Sequence, residues 1–231
     1  MIKQQLLSVE QNIQKACENA GRDRAEVTLI AVSKTKPISM LQEAYDAKIR
    51  HFGENKVQEL CDKYEQLPSD IHWHMIGHLQ TNKVKYLIGK NCFIHSVDSL
   101  KLAKEIEKQS AKTDVVTDVL IEVNIANEET KFGISKEKTV ELVKEIAKFP
   151  HIKIQGLMTI APYVENPEDN RCFFRQIKEL SVDIANQNID NVSMNILSMG
   201  MTGDYMVAIE EGATMVRVGT GIFGERNYSQ V

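Results

Sequence analysis

The chain has 231 residues, of which 42% are hydrophobic and 26% are charged, a composition typical of one globular domain with a substantial core. Its formal net charge of −4 argues against nucleic acid as the main partner, because no broad basic surface is available for phosphate backbones. The sequence contains no apolar run of about 18 residues and no apolar signal segment at its polar amino terminus. We therefore expect a single domain over residues 1–231, a cytoplasmic location and no membrane association.

Predicted helices and strands alternate along the chain. An amphipathic helix covers residues 1–20 and Gly21 follows it as a stop signal, before a β-branched run at 27–32 predicts the first strand. The same reasoning predicts helices at 39–49, 56–66, 82–88, 100–110, 136–149, 169–185 and 205–211, and strands at 50–53, 72–76, 93–97, 116–125, 152–160, 195–199 and 214–218.

This order gives eight strands, each joined to the next by a helical segment, and it favours a parallel sheet with helical crossovers. Eight such units predict a (β/α)8 barrel, also called a TIM barrel, with an extra helix at its amino terminus. A doubly wound open sheet is the alternative. In a barrel of this class the functional site lies at the carboxyl ends of the strands, so the residues that follow each strand are the candidates.

Lys34 directly follows the first predicted strand. A lysine that is partly desolvated at this position has a lowered pKa, which makes its amine available for Schiff-base formation. Lys36 could add a like charge with the same effect, or its side chain could point to solvent. Spacing alone is equally compatible with Lys34 as a surface lysine in a loop.

Gly219, Gly221 and Gly224 form a G-x-G-x-x-G pattern after the last predicted strand. A dinucleotide fold needs a crossover helix, a second strand and an acidic residue about 20 positions further on, and the sequence ends too early for them. The pattern instead favours a cup for one phosphate group, made from the loops after strands seven and eight. Glycines needed only for a tight turn are the alternative.

The loop after the seventh strand, residues 198–204, supplies the other half of this cup. Ser198 and Gly200, with Gly219 and Thr220, would form a small polar platform suited to a phosphomonoester. Arg217 lies among apolar residues of the last strand, so it must be paired or face the barrel mouth. It could contact a ligand or belong to a structural ion pair.

Three histidines, His72, His74 and His78, invite a metal interpretation, since the first two share one strand face. With no carboxylate placed beside them, we interpret His74 as a hydrogen-bonded barrel histidine and expect no metal site. The four cysteines include no C-x-x-C pair and are expected to be reduced thiols.

Five segments, AVSKTKP at 31–37, HFGEN at 51–55, HMIGHLQ at 74–80, GLM at 156–158 and MVRVGT at 215–220, together resemble the YggS/PROSC family of pyridoxal phosphate homeostasis proteins. The resemblance covers nearly the whole chain in order. It implies one barrel similar to the N-terminal domain of alanine racemase, with pyridoxal 5'-phosphate (PLP) held as a Schiff base on Lys34. The other cofactor-binding residues it implies are Asn55 beside the cofactor, Arg217 facing the pyridine nitrogen, and Ser198, Gly200, Met201, Gly219 and Thr220 around the phosphate.

An arginine beside the pyridine nitrogen disfavours its protonation and weakens the ring as an electron sink. The racemases also take a residue from a second domain, for which this sequence has no length left. The resemblance therefore implies a monomeric protein of vitamin B6 homeostasis that buffers PLP or delivers it to apoenzymes, with no catalytic residue and little or no turnover. A PLP-dependent racemase or decarboxylase is the main alternative, and an aldolase-like barrel that uses Lys34 without a cofactor is another.

Overall fold

Eight parallel strands close into a barrel in the computed structural model of the chain, which describes residues 1–128 and 130–225. The strands are β1 Thr28–Val32, β2 His51–Glu54, β3 His72–Met75, β4 Cys92–Val97, β5 Thr117–Asn124, β6 Ile134–Ser135, β7 Ile152–Met158, β8 Val192–Met201 and β9 Met215–Val218. Their order is β4-β3-β2-β1-β9-β8-β7-β5, and pairing of β4 with β5 closes the ring, while β6 adds to β5 outside it. The predicted (β/α)8 barrel is confirmed, and the open doubly wound sheet is excluded.

The helices surround this barrel. They are α1 Ile2–Asn19, α2 Ile38–Asp46, α3 Val57–Tyr64, α4 Leu100–Thr113, α5 Lys136–Ile146, α6 Arg171–Ala185, α7 Tyr205–Glu210 and α8 Thr220–Phe223. The extra helix α1 buries its apolar face against α2, α7 and α8. Among the described residues, no helix has the length and apolar character that crossing a bilayer requires.

Two helical predictions differ from the structure. The α-helix expected at 82–88 is a 3-10 helix, Thr81–Tyr86. The buried Val84 lies within it and the buried Leu87 caps its end, a spacing of three that suits a three-residue turn. The helix expected from 169 starts as a separate 3-10 turn, Pro167–Asn170, which Asn166 caps, and the α-helix follows it from Arg171. Both segments are short or interrupted, so helical periodicity could not separate the two helix types.

Gly156 lies where β7 approaches β8 most closely. A Cβ atom at this position would lie 1.8 Å from the carbonyl oxygen of Ile196, the residue with which Gly156 is paired. We expect Gly156→Ala to lower the free energy of unfolding by about 1–3 kcal/mol, because the two strands must move apart. Urea denaturation measures this change. Gly203→Ala is the control, since nothing lies within 4 Å of a Cβ there, and equal stabilities of the two variants would contradict the argument.

Candidate functional site

The residues predicted for the site come together at the carboxyl end of the barrel. Lys34 follows β1, Ser198 and Gly200 lie near the end of β8, and Arg217 lies in β9. Since β9 is hydrogen-bonded between β1 and β8, these three strands are direct neighbours, and β2, which precedes Asn55, adjoins β1. Met201, Gly219 and Thr220 follow on the same edge.

Lys34 is half-buried in a loop that is anchored on both sides of it. On the amino-terminal side, the ammonium of the buried Lys63 donates to the carbonyl oxygen of Ser33 over 2.8 Å. On the carboxyl-terminal side, the backbone N–H of Thr35 donates to Glu59 Oε1 over 2.6 Å. The loop is therefore tied to α3 immediately before and after Lys34.

The Lys63 ammonium also links two carboxylates. It lies 2.7 Å from Glu54 Oε1 and 2.7 Å from Glu59 Oε1. The Ser33 hydroxyl donates to the same oxygen of Glu54 over 2.6 Å. Burial raises the pKa of Glu54, and the nearby Lys63 opposes that rise. We call Ser33, Thr35, Glu54, Glu59 and Lys63 the Lys63 clamp, and it was not predicted from the sequence.

The side chain of Lys36 is half-buried and does not point to solvent. Its ammonium donates to the carbonyl oxygens of Phe223, Gly224 and Glu225 over 3.0, 3.0 and 2.9 Å. These carbonyls end α8 and follow it, where a cation is favourable. Lys36 thus joins the loop of Lys34 to the segment after β9.

The loops after β8 and β9 meet at Thr202. The backbone N–H groups of Gly219 and Gly221 lie 3.3 and 3.5 Å from the Thr202 hydroxyl. Gly200 has φ +90°, and a Cβ atom there would lie 2.5 Å from Cβ of Ala208, so α7 packs directly on the loop backbone. These glycines therefore serve close packing as well as exposing amides.

The carboxylate of Asp204 holds the same loop through two hydrogen bonds. Its Oδ1 accepts from the backbone N–H of Met201 over 2.7 Å, and its Oδ2 accepts from Asn170 Nδ2 over 2.8 Å. The sequence placed the loop 198–204 in the phosphate cup, but neither Thr202 nor Asp204 was named among the predicted site residues. Their hydrogen bonds within and between the loops depend on the folded backbone, which the residue pattern alone does not give.

Arg217 is buried, and its hydrogen bonds are to neutral groups. Nη1 donates to Ser198 Oγ over 2.7 Å and Nη2 donates to the carbonyl oxygen of Thr159 over 2.8 Å. Burial lowers the pKa of Arg217 to about 10, against the opposing effects of Asp204 and Glu122. The side chain stays charged at neutral pH, and both hydrogen-bond partners found for it within the described residues are uncharged.

Glu122 on β5 is a buried carboxyl group that interacts electrostatically with Arg217. Burial, with a smaller contribution from Asp98, raises the pKa of Glu122 from 4.5 to about 7, while Arg217 lowers it. The unfolded chain releases this proton near pH 4.5 and the folded protein only near pH 7, so this group's contribution to stability falls as the pH rises between these values.

We expect Glu122→Gln to raise the free energy of unfolding by up to about 3 kcal/mol above pH 7, and by almost nothing below pH 4.5. Urea denaturation at both ends of this range measures the difference. Glu141→Gln, on the exposed surface of α5, is the control and should leave the pH dependence unchanged. A Glu122→Gln effect that is equal at both pH values would contradict the expectation.

Several buried polar atoms around the barrel have no hydrogen-bond partner within the described residues. Four of them lie on or directly after barrel strands: Glu54 Oε2, Asn55 Oδ1, Ser96 Oγ and Glu122 Oε2. Buried polar atoms are nearly always paired, so the unpartnered oxygens of Asn55 and Glu122 fit a ligand that carries several polar groups. Asn55 is held in place because Gly77 packs on its backbone, where a Cβ would lie 2.5 Å from the Asn55 carbonyl oxygen.

The three histidines considered for a metal do not converge. His72 is exposed at the start of β3, His78 stacks on Phe132 with ring centroids 3.9 Å apart, and His74 is hydrogen-bonded inside the barrel, as predicted. In residues 1–128 and 130–225, no group of three or more potential ligands is arranged to hold a metal ion. The four cysteines are free thiols.

The fold places the chain in the class of barrels similar to the N-terminal domain of alanine racemase. The family described as "Alanine racemase, N-terminal domain" matches residues 5–227. An alanine racemase from Clostridium difficile shares the barrel fold, with a TM-score of 0.72 at 14% identity, over 96% of this chain and 61% of that chain.

Proteins with higher sequence identity to this chain identify the family within that class. A pyridoxal phosphate homeostasis protein from Aquifex aeolicus is 50% identical over 226 residues, which cover 97% of this chain and 98% of the relative. The structure of PipY from Synechococcus elongatus with PLP bound has a TM-score of 0.84 at 31% identity and covers 97% of this chain and 100% of that one. The chain belongs to the family of pyridoxal phosphate homeostasis proteins, which confirms the resemblance seen in its sequence.

Proposed function

We propose that this protein binds PLP at the carboxyl end of its barrel and serves PLP homeostasis by holding and releasing the cofactor, with little or no turnover. The observation that carries the proposal is the placement of Lys34, which the Lys63 clamp fixes at the same barrel mouth as Arg217 and the glycine loops. The name of the Aquifex relative and the PLP-bound PipY structure support it.

PLP supplies an aldehyde that condenses with a lysine amine and a phosphate monoester that accepts hydrogen bonds. In the proposed arrangement Lys34 is the amine. The backbone N–H groups of Gly219 and Gly221 make only long contacts with Thr202, so they can turn to a phosphate oxygen at little cost. The Asn55 side-chain oxygen, which lacks a partner among the described residues, is available to a polar group of the ring.

Arg217 supports binding without turnover. Because its pKa stays near 10, the guanidinium is charged at neutral pH and disfavours a second positive charge on a ring nitrogen beside it. A ring that stays neutral there is a weak electron sink, which slows carbanion chemistry at an amino acid. The same residue that orients the ring thus restrains the reactions for which racemases and decarboxylases use it.

The proposal extends to a monomeric, cytoplasmic protein of one domain that passes PLP to apoenzymes. Light scattering coupled to size exclusion measures the mass directly. A particle of 26.2 kDa is expected, and a stable dimer would contradict the monomer.

The deciding experiment combines two measurements on the purified chain. Adding PLP should produce a visible absorption band that borohydride removes. Incubating the loaded protein with amino acids in deuterated water should leave their α-protons in place. Exchange of an α-proton that depends on Lys34 would favour the racemase or decarboxylase. Absence of the band, together with turnover of a sugar phosphate, would favour the aldolase-like alternative.

A further inference from the structure

A line of three histidine side chains crosses the interior of the barrel. His51 Nδ1 lies 3.0 Å from His74 Nε2, and His74 Nδ1 lies 2.9 Å from His95 Nε2. The line ends on the site, because His95 Nδ1 lies 3.0 Å from Ser198 Oγ, which also accepts from Arg217. These four contacts form one continuous hydrogen-bonded chain.

The strand register makes the line climb from one end of the barrel to the other. His51 is opposite His72, and His74 lies two residues further toward the carboxyl end of β3. His74 is in turn opposite Phe93, and His95 lies two residues further along β4. Each step therefore rises by about 6–7 Å, the length of two strand residues. His51 also lines a cavity of about 460 Å³ at the opposite end of the barrel from Lys34.

Burial favours the neutral form of all three rings at neutral pH. Burial lowers the pKa of His51 to about 4, with a contribution from His72, and burial lowers the pKa values of His74 and His95 well below 6.5. A neutral imidazole carries one N–H donor and one nitrogen acceptor. Every contact in the line is then satisfied only if all three rings carry their proton on the same type of nitrogen.

Two arrangements meet this condition. With protons on Nδ1, His95 donates to Ser198 Oγ, and the serine hydroxyl is free to donate to a ligand. With protons on Nε2, the serine hydroxyl donates to His95, and His51 directs its N–H outward. We propose that His51, His74 and His95 form a proton relay that connects solvent at the amino-terminal end of the barrel with the Ser198 hydroxyl at the cofactor site.

The transfer balances in protons. A proton from solvent binds His51 Nε2, the Nδ1 proton of each histidine moves to the next acceptor in the line, and His95 gives its proton to Ser198 Oγ. The hydroxyl proton of Ser198 passes at the same time to an acceptor on the ligand. One proton enters the line at His51 and one leaves it at Ser198. The three rings change from the Nδ1–H to the Nε2–H form, and each ring is neutral before and after the transfer.

The use of the relay rests on the proposed function, since a phosphate at Ser198 would be the acceptor. A bound phosphate that accepts from the Ser198 hydroxyl selects the Nδ1–H form along the whole line. Ligand binding at one end of the barrel should then alter His51 at the other. His95 acts in this scheme as a positioning residue for Ser198 and Arg217.

The test is ¹⁵N NMR of histidine-labelled protein, in which the two ring nitrogen shifts report the tautomer. Without cofactor, His51, His74 and His95 should show one common ratio of the two tautomers, with the Nε2–H form populated. Addition of PLP should leave all three, including the distant His51, in the Nδ1–H form. In His74→Phe, His95 should still respond to PLP and His51 should not. His72→Phe is the matched control. It keeps an aromatic ring at the position that stacks on His51, and residue 72 lies outside the line.

Tautomer ratios that differ among the three rings of the cofactor-free protein, or a protonated His74 or His95 at neutral pH, would overturn the relay. So would a PLP response of His51 that survives in His74→Phe. If His74→Phe does not fold, Ser198→Ala tests the same coupling at the inner end, where the His51 response should be lost. A failure of PLP to bind would instead sink the proposed function, and the tautomers of the cofactor-free protein would still decide the relay.

Discussion

Lys34→Ala is expected to abolish the visible absorption band that PLP produces with the parent protein. The reason is chemical, since no covalent bond to the aldehyde can form without the amine at the end of β1. Borohydride reduction of the loaded parent protein, followed by digestion and mass spectrometry, should locate the cofactor on Lys34. The variant should carry none. Residual PLP affinity in the variant then measures what the phosphate and ring contacts contribute by themselves.

Lys36→Ala is the matched control, because it removes a lysine two positions away whose ammonium is committed to three carbonyl oxygens. It should lose stability at the end of α8 and still carry the adduct on Lys34. An adduct on Lys36 or Lys63, or no adduct on the parent protein, would refute the assignment.

Lys63→Met is expected to lower the free energy of unfolding by about 3–5 kcal/mol, because it leaves the fully buried Glu54 without its cation. The variant should also bind PLP more weakly, since Lys63 holds the carbonyl of Ser33 beside Lys34. Urea denaturation gives the first quantity, and absorption titration below the unfolding transition gives the second.

Two variants separate the charge effect from the packing effect. Glu54→Gln combined with Lys63→Met removes both charges and should recover much of the lost stability. Glu59→Gln alters the partly exposed partner of the same lysine and should cost about 1 kcal/mol or less. A Lys63→Met protein as stable as its parent would show that Glu54 is protonated and needs no cation.

The alternation of strands and helices predicted the barrel because each parallel strand is a short apolar run and each crossover is amphipathic. Strand ends were correct to within a few residues, as for the strand predicted at 93–97 and found at Cys92–Val97. The two-residue strand Ile134–Ser135 was missed, since no periodicity exists over so short a segment.

The positions of Lys34 and Arg217 relative to their strands were predictable, because both follow from the rule that barrel sites lie at strand ends. The roles of Lys63 and His95 were not, because their partners lie on other elements. His95 meets Ser198 across 103 positions of sequence, and only the closed barrel brings β4 and β8 to face each other. Alternate inward positions on β2, β3 and β4 carried a signal for the histidine line, visible once the strand pairing was known.

The pairing of β1 with β9 has a consequence for synthesis of the protein. Ile30 pairs with Arg217, so the strand before Lys34 can pair with the strand that carries the arginine only after Arg217 has been synthesised. A nascent or prematurely terminated chain contains Lys34 but neither Arg217 nor the loop from Gly219. In the function proposed above, such fragments lack the complete site, and the ability to retain the cofactor appears together with the completed barrel.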